Sequence, residues 1–527
     1  MHIPPFYPAV EIPDVSLTEF ILERAKQFGD KPAFIDGPTG RSISFSELGD
    51  QIGRVAGALR ERGFGKGDVA AIYSPNVMEY AIVFHAAATL GGAVTTANPL
   101  YTAEELKFQL TDASASVLFT IGMFLDKANE AVEGTGVKEI ITFDGAEGTT
   151  PYATLLNSDP VTQEPVDPGE DIVVLPYSSG TTGLPKGVML THTNLVANLL
   201  QTAAATDCRQ MTEEDTLIAV LPFFHIYGMV VIMNFGLYQG CTTVVVPRFD
   251  MEEFLGLVSD HGVTVAHLVP PIVLGLAKHP AVDNYDLSKL DLIFCGAAPL
   301  GEGVASEACQ RLGCELQQGY GLTETSPVTH LARTIGDNPS PVGSIGVNIS
   351  NTEARIIDLD TEEEVTPGQT GELLVRGPQV MKGYLNNPQA TAHTVDSEGW
   401  LHTGDIAFVD DAGHTYIVDR VKELIKYKGM QVAPAELEAL LLTHPSVADV
   451  AVIPSPDDEA GEVPKAFVVK KADVSSDDLL SFVADNVAPH KKVRRLEFVD
   501  AVPKSASGKI LRRLLVAEER EKIAGGS

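Results

Sequence analysis

The sequence predicts an α/β protein with a large N-terminal domain of mixed and parallel sheets flanked by helices, a β-rich subdomain, and a small mobile α+β C-terminal domain. Short apolar, β-prone runs alternate with helix-length patterns along the first part of the chain. Strands that alternate with helices are usually parallel and buried on both faces. The chain of 527 residues is also too long for one hydrophobic core. A layered architecture with more than one domain follows.

Helical and strand patterns follow one another along the chain. A helical pattern covers residues 47–59. The apolar runs that predict buried strands are residues 69–73, 115–120, 172–175, 242–246 and 292–295. The short strands that predict the β-rich subdomain, with their Gly and Asp turns, lie at residues 353–376 and 415–418. The later pattern predicts a helix over 434–442, with Pro434 in its first turn, and strands at 447–453 and 466–469.

A domain boundary is predicted where the charge balance changes. Residues 1–419 are expected to form the N-terminal domain and residues 420–527 a mobile lid, with a hinge near Lys422. The net charge of −33 lies entirely before Arg420, because cationic and anionic side chains are equal in number from there onward. The acidic N-terminal domain would repel nucleic acid and anionic membranes, whereas the neutral lid can offer cations to a small polyanion.

Composition favours an ordinary soluble protein, with 44% hydrophobic and 21% charged residues. The five cysteines include no C-x-x-C pair, and no histidine cluster completes a zinc site, which favours a reduced compartment without structural metal. The first residues lack a basic and an apolar region, so no secretory signal is expected. Gly, Pro, Asn or His interrupt the uncharged stretches 80–102 and 216–247, which favours buried sheet and helix over membrane spans. We expect a cytoplasmic protein.

A phosphate-binding loop is predicted at residues 178–187, which read Ser-Ser-Gly-Thr-Thr-Gly-Leu-Pro-Lys-Gly. Glycines let backbone N–H groups approach anionic oxygens, hydroxyls add donors, and the lysine adds a point charge. The alternative is a connecting turn, but the loop has more constrained positions than a turn needs. The spacing does not fit G-x-x-x-x-G-K-[ST], which argues against a GTPase or an ordinary P-loop ATPase.

Two later motifs extend this pattern. Residues 318–324 read Gln-Gly-Tyr-Gly-Leu-Thr-Glu and end in the carboxylate of Glu324. Lys509 follows Ser507 and Gly508 in a polar turn before a predicted helix. Taken alone, Lys509 would be an exposed surface lysine. Together with the phosphate loop, the two motifs indicate machinery that joins a nucleotide phosphate to a carboxylic acid.

The chain resembles the adenylate-forming superfamily of acyl-CoA synthetases, peptide-synthetase adenylation domains and luciferases. The resemblance covers nearly all of the chain and rests on the phosphate loop, residues 318–324, Thr403-Gly404-Asp405, Asp419-Arg420 and Ser507-Gly508-Lys509. The stretches that are similar to 4-coumarate (cinnamate):CoA ligases of the bacterial type are residues 221–228, 381–386 and 422–438. The resemblance implies that an acid, ATP and CoA become an acyl-CoA, AMP and pyrophosphate through an acyl-AMP intermediate.

The resemblance also implies an ATP site. The residues implied to bind ATP or AMP are Ser178, Ser179, Gly180, Thr181, Thr182, Gly183, Lys186, Ala298, Gln318, Gly319, Tyr320, Gly321, Thr323, Asp405, Arg420 and Lys422. Thr182 and Glu324 would lie near Mg²⁺. Asp405 and Arg420 would bind the ribose hydroxyls, the alternative being turn or surface ion-pair residues. Tyr320 would stack on adenine, the alternative being a core aromatic.

The catalytic residues implied for the first step are Lys509, His225 and Glu324. Lys509 would bridge the substrate carboxylate and the α-phosphate and so offset their repulsion. His225 would lie beside that carboxylate, although a lone histidine in an apolar stretch is more often a core residue. The residues implied to line the acyl pocket are Tyr227, Val231, Ala297, Gly319, Pro327 and Val328. Small residues at 297 and 319 would leave room for a flat ring; core packing is the alternative for Val231 and Val328.

The second half-reaction implies that the lid rotates about Lys422, withdraws Lys509 and presents a different set of side chains. The residues implied for this step are the catalytic Lys426 and Gln431 and the CoA-binding Arg248, Lys428 and Gly429. The alternative for the lysines is a solvated cationic face.

Other hypotheses remain beside a 4-coumarate or cinnamate ligase. A medium-chain fatty acyl-CoA synthetase and a luciferase-like adenylating oxygenase are the alternatives. An amino-acid-activating domain is disfavoured because no carrier domain follows and no acidic residue lies between Pro222 and Arg248 to receive an ammonium group. A regulatory nucleotide-binding protein is disfavoured by Lys509, Glu324 and Lys426. The expected partners are therefore the acid, ATP and CoA, without nucleic acid, membrane span or carrier-protein domain.

Overall fold

The structure is a computed structural model that describes residues 1–178, 185–298, 300–428, 430–457, 459–505 and 508–525. The strands in chain order are β1 (His2–Ile3), β2 (Pro32–Asp36), β3 (Ser42–Ser44), β4 (Val69–Tyr73), β5 (Ala93–Ala97), β6 (Ala115–Thr120), β7 (Glu139–Thr142), β8 (Thr150–Pro151), β9 (Ile172–Ser178), β10 (Lys186–Thr191), β11 (Thr216–Ala219), β12 (Thr242–Val245), β13 (Val265–Leu268), β14 (Leu292–Cys295), β15 (Glu315–Gly321), β16 (Val328–Leu331), β17 (Val347–Asn348), β18 (Glu353–Ile357), β19 (Gly371–Arg376), β20 (Gly383–Tyr384), β21 (Leu401–Val409), β22 (Thr415–Arg420), β23 (Ile425–Tyr427), β24 (Met430–Val432), β25 (Val447–Asp457), β26 (Gly461–Lys470) and β27 (Arg495–Phe498).

The helices surround and separate the sheets. They are α1 (Leu17–Ala25), α2 (Phe45–Glu61), α3 (Glu79–Thr89), α4 (Ala103–Asp112), α5 (Leu125–Val132), α6 (His192–Ala203), α7 (Phe235–Gln239), α8 (Met251–Asp260), α9 (Pro270–Lys278), α10 (Glu302–Leu312), α11 (Pro388–Thr394), α12 (Pro434–Leu442), α13 (Ser476–Asn486) and α14 (Arg512–Gly525). A π-helical segment, Tyr227–Asn234, runs directly into α7. The predicted α/β class is confirmed.

Local capping explains where several helices begin. The helix predicted at 47–59 is confirmed as α2, which starts earlier because the Ser44 hydroxyl accepts from the Glu47 backbone while the Glu47 carboxylate accepts from the Ser44 backbone. Thr102 and Glu105 form the same reciprocal pair at the start of α4. These caps satisfy backbone donors that the first turn of a helix leaves unpaired.

The two large sheets of the N-terminal part share one continuous hydrophobic core. One has the strand order β20-β10-β9-β5-β4-β6-β7-β8 and the other β17-β16-β15-β14-β13-β11-β12-β2-β3. Their central strands are parallel, as the alternation of strand and helix predicts. The predicted strands 69–73, 115–120 and 292–295 are confirmed at their predicted bounds, and β12 ends one residue before the predicted limit.

The two uncharged stretches of the sequence are buried inside this body. Every residue of α3 and of β5 is buried, and so is every residue of the π-helical segment. Among the described residues, every helix is too short or too polar to span a membrane. Core packing, not contact with lipid, therefore explains the apolar composition of these stretches.

The β-rich part and the C-terminal part each have a sheet and a core of their own. The antiparallel sheet of the β-rich part has the order β1-β18-β19-β21-β22. The sheet of the C-terminal part has the order β24-β23-β26-β25, with β27 paired to β26, and α12 and α13 pack against it. Helix α12 has the bounds predicted for it. The domain boundary after residue 419 and the hinge at Lys422 remain predictions.

Arg512 of α14 joins the segment next to the predicted hinge to the interior of the C-terminal part. Its guanidinium donates to Glu438 at 2.6 Å and to Glu423, while Asp419 accepts from the Ala435 backbone at the start of α12 at 2.8 Å. Burial raises the pKa of Glu438 to about 7, against the pull of the nearby guanidinium. Carboxylates this buried need their cationic partner, because an unpaired buried charge is strongly unfavourable.

Replacing Arg512 with Met preserves most of the side-chain volume but leaves these carboxylates without a cation. We expect Arg512→Met to lower the free energy of unfolding of the C-terminal part by about 3–5 kcal/mol. Urea unfolding of the whole chain, followed by circular dichroism, measures the change. The exposed neighbour Arg513 provides the control: Arg513→Met should change the free energy of unfolding by no more than about 0.5 kcal/mol. Equal effects of the two substitutions would contradict the assignment.

Candidate functional site

Glu324 lies where three segments of the chain meet. Ser178, the last residue of β9, donates to Glu324 Oε1 at 2.9 Å, and the hydroxyl of Tyr384 donates to the same oxygen at 2.8 Å. Lys186 is paired opposite Ser178 across β9 and β10, and its ammonium lies 4.1 Å from the centre of the Tyr384 ring. The two described ends of the predicted phosphate loop and Glu324 are therefore neighbours.

Tyr384 lies in the stretch 381–386, which carries part of the family resemblance, but nothing in that stretch marks it as a partner of Glu324. It is 60 residues from Glu324 in the chain and reaches it only because β20 pairs with β10. Burial and the neighbouring Glu324 carboxylate raise the pKa of Tyr384, so its hydroxyl stays protonated and remains a donor. Tyr384 thus both orients the carboxylate and gives Lys186 an aromatic face to lie on.

Asp405 and Arg420 face each other across the antiparallel pair β21 and β22. Arg420 Nε donates to Asp405 Oδ1 at 2.9 Å, and the hydroxyl of Tyr320 donates to Oδ2. Asp405 is only 4% exposed, and burial raises the pKa of Tyr320 well above its ordinary value. The structure thus brings Tyr320, 85 residues before Asp405 in the chain, to the Asp405–Arg420 pair, and all three were predicted for the nucleotide site.

The Lys509 loop of the C-terminal part packs against the N-terminal body. The Lys509 backbone N–H donates to Ser505 Oγ at 3.1 Å, and its carbonyl accepts from the Ser505 N–H at 2.8 Å. A Cβ on Gly508, whose φ is +77°, would lie 3.1 Å from Pro271 Cδ and 3.4 Å from Val269 Cγ2. Glycine is therefore required here both for backbone conformation and for the close approach to the start of α9.

The loop places Lys509 among the predicted site residues. Burial lowers the pKa of Lys509 and Arg420 lowers it further, whereas Asp405 opposes the shift. Burial and the Lys509 charge lower the pKa of His225 to about 4. His225 Nδ1 accepts from the Tyr227 N–H at 3.2 Å, so the neutral ring carries its proton on Nε2. A cationic lysine beside a neutral histidine suits an anionic ligand.

An aromatic wall lies next to His225. The hydroxyl of Tyr227, the first residue of the π-helical segment, donates to the Phe294 carbonyl at 3.0 Å. A Cβ on Gly319 would lie 2.6 Å from Phe294 Cζ, and one on Gly296 would lie 3.2 Å from Tyr227 Cε1. Side chains at these glycines would push into the rings. Val231 is buried one turn along the same segment.

His267 and Phe294 were not identified from the sequence, where each is one residue in an apolar strand. The centroid of the His267 ring lies 6.1 Å from that of the Tyr227 ring and 5.5 Å from that of the Phe294 ring. His267 is 1% exposed, its Nδ1 has no hydrogen-bond partner among the described residues, and burial lowers its pKa to about 3. A neutral imidazole thus lies behind the aromatic wall.

The other predicted residues of this region line the carboxyl ends of β14 and β15. Parallel strands present ligand sites at this edge. The residues placed there or in the adjoining turns are Ala297, Ala298, Gln318, Gly321, Thr323, Pro327 and Val328. A Cβ on Gly321 would lie 1.9 Å from the Pro327 carbonyl oxygen, so only glycine fits. Ala297 is exposed and has a φ of +70°. Val328 is 5% exposed and its backbone pairs with Asn198, which also fits ordinary core packing.

The described side chains predicted for the second step are exposed at the surface. Lys426 and Gln431 are exposed and face each other across β23 and β24, and Lys428 pairs with Glu459. Arg248 and Lys422 are exposed as well. The predicted residues that lie outside the described part of the chain are Ser179, Gly180, Thr181, Thr182, Gly183 and Gly429.

This fold and site define a class of protein. The family model described as "AMP-binding enzyme" matches residues 21–385, and the model described as "AMP-binding enzyme C-terminal domain" matches residues 436–509. The chain belongs to the family of AMP-binding enzymes.

Its relatives include named plant ligases. The chain is 44% identical over 516 residues to a 4-coumarate–CoA ligase of Pinus taeda, covering 96% of this chain and 95% of that protein. It is 41% identical over 527 residues to 4-coumarate–CoA ligase 2 of Petroselinum crispum, covering 98% and 96%. The fold also matches the anthranilate CoA ligase AuaEII in complex with anthranoyl-AMP, with a TM-score of 0.89, 25% identity and coverage of 98% and 99%. ATP-bound MatB from Rhodopseudomonas palustris matches with a TM-score of 0.87, 28% identity and coverage of 96% and 99%.

The Tyr384 hydroxyl is expected to stabilise the folded chain through Glu324. Tyr384→Phe keeps the ring beneath Lys186 and should lower the free energy of unfolding by about 1 kcal/mol, since Glu324 retains its bond from Ser178. Tyr384→Ala also removes the ring and should cost about 3–5 kcal/mol. Urea titrations give both values. Tyr416, whose hydroxyl donates to Asp410 at 3.2 Å nearer the surface, is the control; Tyr416→Phe should have the smaller effect. An unchanged Tyr384→Phe variant would contradict the assignment.

Proposed function

We propose that this chain is an ATP-dependent acid:CoA ligase that acts through an acyl-AMP intermediate on 4-coumarate or cinnamate-type aromatic acids. The observation that carries the proposal is the packing of Gly508 against the start of α9, which puts Lys509 within electrostatic range of His225 and of the Asp405–Arg420 pair. Membership of the AMP-binding family supports adenylation, and the names of the plant relatives support the CoA step and the class of acid.

The first step meets an electrostatic barrier, because a carboxylate must attack the α-phosphate of ATP while pyrophosphate departs. A bond forms between the acid oxygen and phosphorus as the bond to the departing oxygen breaks. Lys509 stabilises both anions at the reacting centre. Neutral His225 donates from Nε2 to the acid and adds no charge that would repel Lys509. Asp405 and Arg420 hold the ribose, which fixes the α-phosphate relative to these groups.

The β- and γ-phosphates of ATP would bind at the second group of residues, around Glu324. Ser178 and Lys186 stand at the two ends of the predicted phosphate loop and can bind the β- and γ-phosphates. Within the described residues, no group of three or more His, Cys, Asp or Glu side chains could hold a metal ion. A nucleotide-bound Mg²⁺ needs only one or two protein carboxylates besides phosphate oxygens, so Glu324 fits it. When bound, Mg²⁺ neutralises phosphate charge; Thr182 is proposed as its second neighbour.

The aromatic wall supports an aromatic acid. A flat ring fits between the Tyr227 and Phe294 rings and the small residues Gly296, Ala297 and Gly319, where added side chains would meet the rings. Offset or edge-on ring contacts favour such a ligand beyond simple burial of its surface. The proposed pocket also includes Val231, Pro327 and Val328. Because His225 and Lys509 stand beside the wall, the acid's carboxylate would point toward the nucleotide.

The second step requires the CoA thiol to reach the acyl carbonyl from the side that Lys509 covers here. Rotation of the lid about Lys422 would withdraw Lys509 and bring in the hairpin of Lys426 and Gln431. The residues proposed to contact CoA are Arg248, Lys428 and Gly429. The exposed, paired arrangement of Lys426 and Gln431 suits side chains that act only after such a movement. We also propose a cytoplasmic location, since cysteine usage fits a reduced compartment.

Pyrophosphate release and acyl-CoA formation with a panel of acids test the proposal. Purified protein with ATP, Mg²⁺ and CoA should use 4-coumarate and cinnamate with a higher kcat/KM than octanoate. The reason is that flat rings match the aromatic wall whereas a flexible chain loses rotamer freedom on binding. Octanoate preferred over 4-coumarate would favour a medium-chain fatty acyl ligase. Oxygen-dependent product without CoA consumption would favour the luciferase-like alternative.

Lys509 should matter for one half-reaction only. Lys509→Ala should lower acyl-AMP formation by at least about 100-fold, because the charge that offsets anion repulsion is lost. Thioester formation from preformed acyl-AMP should change less than about threefold, since Lys509 is withdrawn for that step. Single-turnover assays with 4-coumarate, or with synthetic coumaroyl-AMP and CoA, separate the two rates. Equal loss in both steps would contradict lid rotation.

The pH dependence of adenylation tests separately whether the charge of Lys509 is what the first step requires. The folded-state pKa of Lys509 is lowered from the ordinary 10.5, so its charge, and with it the adenylation rate, is lost as pH rises through the lowered value. Lys509→Arg should keep its charge and remove this alkaline loss, even at a reduced rate. A loss of rate at the same pH in Lys509→Arg would assign the titration to another group.

A further inference from the structure

Two of the cysteines, separated by four residues in the chain, are brought together by the end of α10. Cys309 lies in the last turn of the helix, and Cys314 follows the terminating residue Gly313, whose φ is +70°. The Gly313 N–H donates to the Cys309 carbonyl at 2.8 Å. In a helix ending of this kind, the residue after the glycine returns to contact the last turn. The thiols of Cys309 and Cys314 accordingly lie close enough to shift each other's pKa.

The pair can be reached from solvent on one side. Cys309 is partly exposed and Cys314 is 9% exposed. A Cβ built on Gly313 would meet no described atom within 4 Å, so the outer side of the turn is open. A small oxidant can therefore approach Cys309, the more exposed of the two thiols.

The other cysteines differ in burial and in reactivity. Cys208, Cys241 and Cys295 are at most 5% exposed, and burial raises the pKa of each thiol. The neighbouring Cys314 thiol instead lowers the pKa of Cys309. The thiolate is the nucleophilic form of cysteine, so oxidation should select Cys309.

We propose that Cys309 and Cys314 are a modification site, a dithiol that a peroxide converts reversibly into an intramolecular disulfide. The Cys309 thiolate attacks one peroxide oxygen, the O–O bond breaks, and sulfenic acid and water form. The Cys314 sulfur then attacks the sulfenic sulfur and expels a second water. Two thiols lose two electrons and two protons in total, and hydrogen peroxide is reduced to two waters. A dithiol reductant reverses the bond by exchange.

The bond would tie the end of α10 to the start of β15. That strand continues to Gln318 and Gly319 at its other end, while its pairing with β14 starts at Glu315. A disulfide outside the paired part of the strand needs no change of register. The modification is therefore compatible with the folded protein, and it does not depend on the proposed ligase activity.

Trypsin provides a direct test, because it cuts after Arg311, between the two cysteines. Full-length protein is treated with hydrogen peroxide, blocked with N-ethylmaleimide, and digested without reductant. We expect peptides 290–311 and 312–333 to appear cross-linked, and dithiothreitol to release them. Cys295→Ala, the matched control in the first peptide, should keep the cross-link, and Cys309→Ala should abolish it. In Cys314→Ala, dimedone should label Cys309 as trapped sulfenic acid.

Three results would overturn the proposal. One is that both thiols remain open to alkylation after a peroxide treatment that oxidises exposed methionines. Another is a cross-link that survives Cys309→Ala or joins two chains. The third concerns reactivity: the pH midpoint for alkylation of Cys309 should rise in Cys314→Ala and stay unchanged in Cys295→Ala, so an equal midpoint in both variants would contradict the thiol pair. These readouts need no substrate, so they stand or fall independently of the ligase assays.

Discussion

The arrangement of the candidate site depends on one close contact, between Gly508 and the start of α9. Gly508 lies so close to Pro271 and Val269 that the backbone next to Lys509 packs on the N-terminal body, and Lys509 is thereby near enough to His225 to lower its pKa. A bulkier residue would hold the loop away and leave the Asp405–Arg420 pair without its third charge. The proposed chemistry depends on this contact between two separately packed parts, because neither part alone holds all the groups that the first step needs.

Much of the fold could be predicted from local patterns. The runs that became β4, β6 and β14, and the helix that begins at Pro434, are recognisable because burial on both faces or a helical period imposes a repeating composition. The predicted and observed ends of an element differ where a hydrogen-bonded cap or a strand partner determines the end. Glu47 lies within α2 rather than at its start because Ser44 caps the helix.

The site was predictable as a set of motifs but not as a geometry. Charge and glycine content mark Glu324 and Lys509 in sequence. Tyr384 lies in the recognised stretch 381–386, but its contact with Glu324 depends on strand pairing and is not visible there. His267 and Phe294 likewise look like ordinary strand residues until the sheet sets their rings beside Tyr227. Contacts between distant segments depend on the register of sheets, and one sequence alone does not specify that register.

The Asp405–Arg420 pair lies on β21 and β22, in a sheet that includes β1 and not the strands of the C-terminal part. If the lid turns at Lys422, two residues beyond Arg420, the proposed contact of this pair with the ribose can persist through the turn. An activated acid is a mixed anhydride that water destroys. Continuous anchoring of its adenosine half would keep it inside the protein between the two reactions, so that the energy of the cleaved nucleotide reaches the thioester instead of being lost to hydrolysis.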